Sequence, residues 1–291
     1  MRVISRRAIE FACNSKACAP PPVGTGGSGG GGSKRSYASD KLKAAGASGP
    51  HLDIEWAPQS EGSLTLKGVV TTTGGRKFAV EWDEFDIGPK TADQIIDQYA
   101  KLLDTYPDAP AIPLALGLDA AKNMFSKVYS DDPYYVNQLD GLHERATGYV
   151  VNDLDTKAPL MMAYSNVIDD RRSLLKIPES WGQGTRGLTN DQAREYIVSH
   201  EFGHVVQQHA MSRMTQGQRT MLDLDASELR GKKAERVVDI GNYGRSNNAE
   251  MFAESFAVQT HGLVSKDGSF LRDVTDPYLG GSPPRQVEWT S

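Results

Sequence analysis

The chain has 291 residues, of which 38% are hydrophobic and 24% charged, and a net charge of -5. That apolar content suffices for a buried core in one large domain or two small ones. The acidic balance gives no electrostatic ground for nucleic-acid binding, and no run of about 18 apolar residues marks a membrane-spanning helix.

The charge is unevenly spread. Residues 1–45 hold eight Lys/Arg and only Glu10 and Asp40 as acids. The opening MRVISRRAIEFAC starts positive, but Glu10 interrupts its apolar run, which is too short for a signal-peptide core. Residues 19–33, APPPVGTGGSGGGGS, can neither pack nor hold one conformation, because Pro is stiff and Gly gains nothing to offset its ordering entropy. Residues 1–50 are therefore expected as a disordered, basic, Pro/Gly-rich arm and linker. Such an arm reads as a solvated tail, or as a contact arm for an anionic partner or a larger complex. The two cysteines, Cys13 and Cys18, lie in this arm. With no second ligand pair nearby they read as free thiols, and no disulfide framework supports the body.

Order is expected from residue 52 onward. SLTLKGVV and RKFAVEWDEF alternate apolar with polar residues around TTTGG, which predicts a β-hairpin. Thr91 is placed to cap a helix running to residue 104, with Ile95, Ile96, Tyr99, Leu102 and Leu103 on one stripe. A second helix is expected from Asp119 to Tyr129. GYVVND and PLMMAYSNV are strand-like, and SLLKIP predicts a further strand. The glycine-rich loop WGQGTRGLTN follows. An amphipathic helix then runs from Asn190, its expected cap, to Met211. Residues 212–242 give no clear pattern. A last helix is expected from Asn248 to Thr260, with Gly262 as its stop, and residues 266–291 read as an irregular tail.

HEFGH occupies residues 200–204. Four residues apart on a helix, His200 and His204 present two imidazoles on one face, at the separation one zinc ion needs. Glu201 lies one step round, able to reach a water at the metal without binding the metal itself. Ala193 and Ile197 continue the histidine face, which directs it inward. A catalytic zinc needs a third protein ligand and an open position. The HExxHxxGxxH pattern is excluded by Gln207 and Ala210. Asp223 and Asp225 fall at a short spacing and remain candidates. A stronger one lies in NNAEMFAESFA, where Glu250 and Glu254 share a helix face with Ala253 and Ala257. Small residues beside two carboxylates indicate a face pressed against another element, and buried carboxylates need a cation or strong donors. Glu250 on the metal and Glu254 orienting a histidine would meet that need. The competing reading is a solvated acidic face.

HEFGH together with YGRSNNAEMFAESFA closely resembles the catalytic domain of the anthrax lethal factor family, zinc peptidases of the glutamate-zincin type. The likeness covers about residues 145–260. It implies an α+β zincin-like fold: a small mixed sheet, one helix carrying HExxH and a second carrying the glutamate ligand. By motif it implies His200, His204 and Glu250 on zinc, Glu201 as general base, Tyr243 facing the reacting oxygen, and Glu254 supporting a ligand. Met251 and Asn248 depart from the family's pattern, without touching the metal chemistry. Under this resemblance residues 141–265 form the catalytic domain. Residues 51–140 are either an elaboration of it or a separate module. The implied activity is zinc-dependent endopeptidase cleavage of a protein or peptide, in a soluble toxin, secreted effector or phage-associated, virion-borne enzyme. The alternative is a structural phage head or assembly protein carrying such a domain, with a virion or effector-complex partner reached through the arm. PLMMAYSNV, by analogy, is an edge strand to which a substrate adds, or else an interior strand.

Overall fold

The computed structural model describes residues 9–11, 52–57, 65–129, 133–144, 146–153, 155–170, 185, 187–231, 240–264, 268–280 and 284–289. In chain order these form β1 (Ile9–Phe11), β2 (Leu52–Trp56), β3 (Thr65–Thr72), β4 (Lys77–Asp83), α1 (Pro89–Thr105), β5 (Leu114–Leu116), α2 (Leu118–Val128), α3 (Pro133–His143), β6 (Gly148–Asp153), β7 (Pro159–Tyr164), a 3₁₀ turn (Asn166–Ile168), α4 (Asn190–Ser212), α5 (Gln216–Gly231), α6 (Gly241–Gly244), α7 (Asn248–Thr260) and α8 (Ser269–Leu279). The fold is α+β around one mixed sheet, ordered β1-β6-β7-β5-β4-β3-β2. β4–β5 and β5–β7 are parallel and the remaining pairs antiparallel. Strands from residues 52–116 and from 148–164 thus share one sheet, and residues of both stretches meet in the larger hydrophobic core.

The period of two along a strand sorts the central side chains to two faces. Leu114, Leu116, Val150, Met162 and Tyr164 join the core with α1, α4, α7 and α8. Ala115, Tyr149, Val151, Met161 and Ala163 join a second core with α2 and α3. Because both faces of β6 and β7 are covered, GYVVND and PLMMAY read as continuous apolar runs rather than alternating ones. The expected hairpin forms, Thr65 pairing with Asp83 and Thr71 with Lys77. On α1 the whole expected stripe is buried.

Several expectations are corrected. Ile9–Phe11, placed in the disordered arm, is a strand: Ile9 pairs with Asp153 and Phe11 with Val151. The rest of the arm, the two cysteines and SLLKIP lie outside the described residues. Thr91 is not a cap but stands inside α1. Its hydroxyl donates to Asp169 Oδ1, and the other oxygen of Asp169 accepts from the backbone N–H of Gly88 at 2.9 Å. Pro89 opens that helix, where its missing N–H costs nothing. β7 is interior, flanked by β6 and β5, so its edge-strand reading fails. α4 is capped by Thr189, not Asn190, through a capping box with Gln192. Nor is α4 amphipathic: from Ala193 to Gln208 it is buried on every side. Residues 216–231 form a helix within the stretch left without a pattern. In the tail expected to be irregular, Phe270, Leu271, Val274 and Tyr278 form a buried stripe on α8, which packs on α7. Its Pro and Gly content masked that period; Gly280, at φ 67°, ends the helix. Among the described residues no helix is long and apolar enough to cross a membrane.

The chain end straps the far end of α7. Val287 N–H donates to Thr260 O at 2.9 Å, and Trp289 stacks on His261 with ring centroids 3.9 Å apart. His261 Nε2 lies 2.8 Å from Ser199 Oγ, beside the first metal-motif histidine. Burial pushes His261 down to about 4, against the opposing carbonyl of Glu195. Between pH 6.5 and 4 the unfolded chain therefore binds a proton at this position that the folded chain does not, so folding stability falls as pH falls through that window. His261→Phe is expected to remove on the order of 3 kcal/mol of this pH dependence. Denaturant titrations of both proteins from pH 7 to 4 measure it; parallel curves would contradict it.

Candidate metal centre

The site forms where α4 lies against α7. Gly203 permits the contact: a Cβ there would stand 3.0 Å from Ala253 Cα and 3.3 Å from its carbonyl oxygen. No side chain larger than hydrogen fits without moving a backbone. Phe202 locks the same stretch from the other side, among Tyr99, Tyr106 and Phe256 at centroid distances of 5.9, 5.8 and 6.1 Å. α7 begins at Asn247, whose side chain accepts from Glu250 N–H at 2.9 Å. The cap thereby fixes the first turn, which carries Glu250.

This packing brings together the two segments the motifs named. His200, His204 and Glu250 each offer a ligand atom, all within 4.8 Å of one another, and all three residues are buried. His200 Nε2 is 3.1 Å from Glu250 Oε2, and His204 Nε2 is 3.5 Å from the same oxygen. Two ligand atoms bound at about 2.1 Å in a tetrahedral arrangement would stand roughly 3.4 Å apart, so the spacing suits one small divalent ion. Glu250 Oε1 is buried with no hydrogen-bond partner among the described residues, as expected of a group whose natural partner is a cation. The residues fit a metal of the kind bound by imidazole and carboxylate. Asp223 and Asp225, the alternative ligands, are exposed on α5 and take no part in the cluster.

The electrostatics call for positive charge. Burial pushes the Glu250 carboxyl up, but the charges and hydrogen bonds of His204 and His200 outweigh it and hold the group at about 2. Burial pushes His200 down, towards the neutral form a metal ligand needs. At His204 burial acts in the same sense, but the charges of Glu250 and Glu201 override it and raise that ring. Glu254 is raised well above the usual carboxylate range by burial, Tyr196 opposing and Glu250 reinforcing. Its Oε1 is 3.7 Å from His200 Nδ1, beyond hydrogen-bond length. What holds Glu254 in place is Tyr196, whose hydroxyl donates to Oε2.

Glu201 is 4% exposed and outside the ligand cluster. It faces the start of β6, where a Cβ on Gly148 would meet its Cγ at 2.8 Å. Tyr243 sits on the short helix α6, its ring 5.6 Å from that of His200. Gly244 lets that helix close on α7, since a Cβ there would meet the Glu254 side chain at 3.0 Å. The structure thus gathers all six residues picked out by the motifs. Tyr196 and Gly148 escaped the sequence reading. The first had a signal, one helical turn before His200 on the same face; the second had none, because its role depends on a strand brought from 53 residues away. Compared with protein-family models, curated proteins and solved structures, the chain shows no match.

Purified protein is expected to bind about one divalent ion per chain, and Glu250→Ala to lose it. Tyr196→Phe is expected to weaken metal affinity about 10- to 100-fold, by freeing Glu254 beneath His200. Competition against a chromogenic chelator measures both, and wild-type affinity in Glu250→Ala would contradict the ligand set.

Proposed function

We propose that the protein is a zinc-dependent endopeptidase with a zincin-like catalytic centre, the activity implied by the resemblance to the lethal factor family. One observation carries the reading: a buried His-His-Glu ligand set has a second glutamate one step round the same helix and a tyrosine against the first histidine. A purely structural metal site needs neither a non-ligating carboxylate nor a phenol, and closes its coordination with four protein ligands.

The chemistry divides among the chain's own groups. Zinc, when bound, polarises a carbonyl and acidifies a water towards pKa about 7. Glu201 takes the proton of the attacking water and returns it to the departing amine. Its enclosure by Gly148 and Tyr164 keeps bulk water from competing for that proton. Tyr243 donates a hydrogen bond to the substrate oxygen as negative charge builds there, a contribution of about 3 kcal/mol in comparable sites. Asn247 and Tyr196 hold Glu250 and Glu254 against rotation, so the reacting groups are in place beforehand.

Glu201→Gln keeps the shape of the site and removes the base. Peptide hydrolysis is expected to fall by 10²–10⁴-fold or more while the metal stays bound. Tyr243→Phe is expected to lower kcat about 100-fold with little change in KM. Assays of a peptide library with parallel metal analysis read both effects; undiminished cleavage by the Glu201→Gln protein would refute the assignment.

A further inference from the structure

A polar cavity of about 480 Å³ adjoins the metal ligands and has no role in the chemistry above. Gln207, Gln208, Met211, Arg219, Asp223 and Ala249 are among its walls, with Asp155 and Lys157 of the β6–β7 turn at its side. Its place is set by the two ligand helices. Gln208 is one turn beyond His204 on the same face of α4, and Ala249 directly precedes Glu250. An extended chain with its reacting carbonyl at the metal therefore passes the mouth of this cavity.

The walls have an unmet need. Gln207 and Gln208 are 2% and 5% exposed, and the Oε1 atom of each is buried without a hydrogen-bond partner among the described residues. Buried carbonyl oxygens are nearly always paired, so these two await a donor. The charged groups cancel: Asp155 and Asp223 stand against Lys157 and Arg219. A carboxylate or an ammonium entering the cavity meets no net counter-charge, and an aliphatic side chain leaves both oxygens unpaired.

We infer that this cavity receives one side chain of the peptide substrate and selects a carboxamide, glutamine or asparagine. The inference rests on the peptidase reading. A carboxamide brings N–H donors and a carbonyl acceptor together, so it pairs with the Gln208 amide in either orientation of that group. Its own oxygen can accept from Arg219. Sites that hydrogen-bond a substrate group reject the analogue lacking it far more strongly than apolar pockets reject a missing methylene.

The test is a set of peptides, identical but for one residue beside the scissile bond, cleaved by the zinc-loaded full chain and its variants. The wild type is expected to cleave the Gln or Asn peptide with kcat/KM at least about tenfold above the Leu, Glu and Lys peptides. Gln208→Leu, at retained metal content, is expected to bring the Gln peptide down to the Leu peptide. Gln208→Glu, which keeps side-chain length and serves if the leucine variant does not fold, is expected to shift preference to Lys. A wild-type preference for Leu or Glu, or a Gln preference that survives both substitutions, overturns the pocket while leaving the peptidase standing. Failure of the wild type to cleave any member overturns both.

Discussion

The centre depends on how closely α4 can approach α7. Where Gly203 meets Ala253 a single methyl would collide with backbone 3.0 Å away. That contact sets the distance across which His200 and His204, on one helix, reach Glu250 on the other. Everything else in the region guards the approach. Phe202 wedges into an aromatic cluster, Gly244 lets α6 close on α7, and the strap at 284–289 pins the far end of α7. Ligand atoms about 3 Å apart tolerate little shear between helices, which is why small residues rather than bulky apolar ones line this seam.

The same seam concentrates charge where water cannot screen it. Glu201, Glu250 and Glu254 are all buried around two imidazoles. Burying unpaired carboxylates costs several kcal/mol each, so the arrangement persists only with cationic compensation. The raised His204 and strongly lowered Glu250 are two expressions of that demand. Glu254 resolves it differently, held up in pKa by burial and anchored by Tyr196. Three carboxylates on two helices thus take separate roles, set by their neighbours: ligand, proton carrier and support.

Much of this was legible in the sequence because it is local. A four-residue spacing on one helix puts imidazoles on one face whatever surrounds it, and the same holds for Glu250 and Glu254. The hairpin at residues 65–83 and the stripe of α1 were equally readable, since each shows its period within a few turns or alternations. What failed depends on distant parts. Thr91 has the residue type of a cap, but Asp169, 78 residues on, takes that task. PLMMAY could sit at an edge or in the interior, and only the neighbouring strands decide. α4 carries polar residues on all sides, so its complete burial was invisible until partners arrived from α1, α7 and the sheet. The helix at 269–279 was hidden by its Gly- and Pro-rich surroundings, although its apolar stripe follows the helical period.

The most direct test is spectroscopic. Zinc K-edge X-ray absorption on the purified, zinc-loaded chain reads the atoms around the ion without reference to any reaction. The account predicts a first coordination sphere of two imidazole nitrogens and at least one oxygen at about 2.0–2.2 Å, with four or five ligands in all. A sphere without imidazole scattering, or one containing sulfur from Cys13 or Cys18, would contradict it.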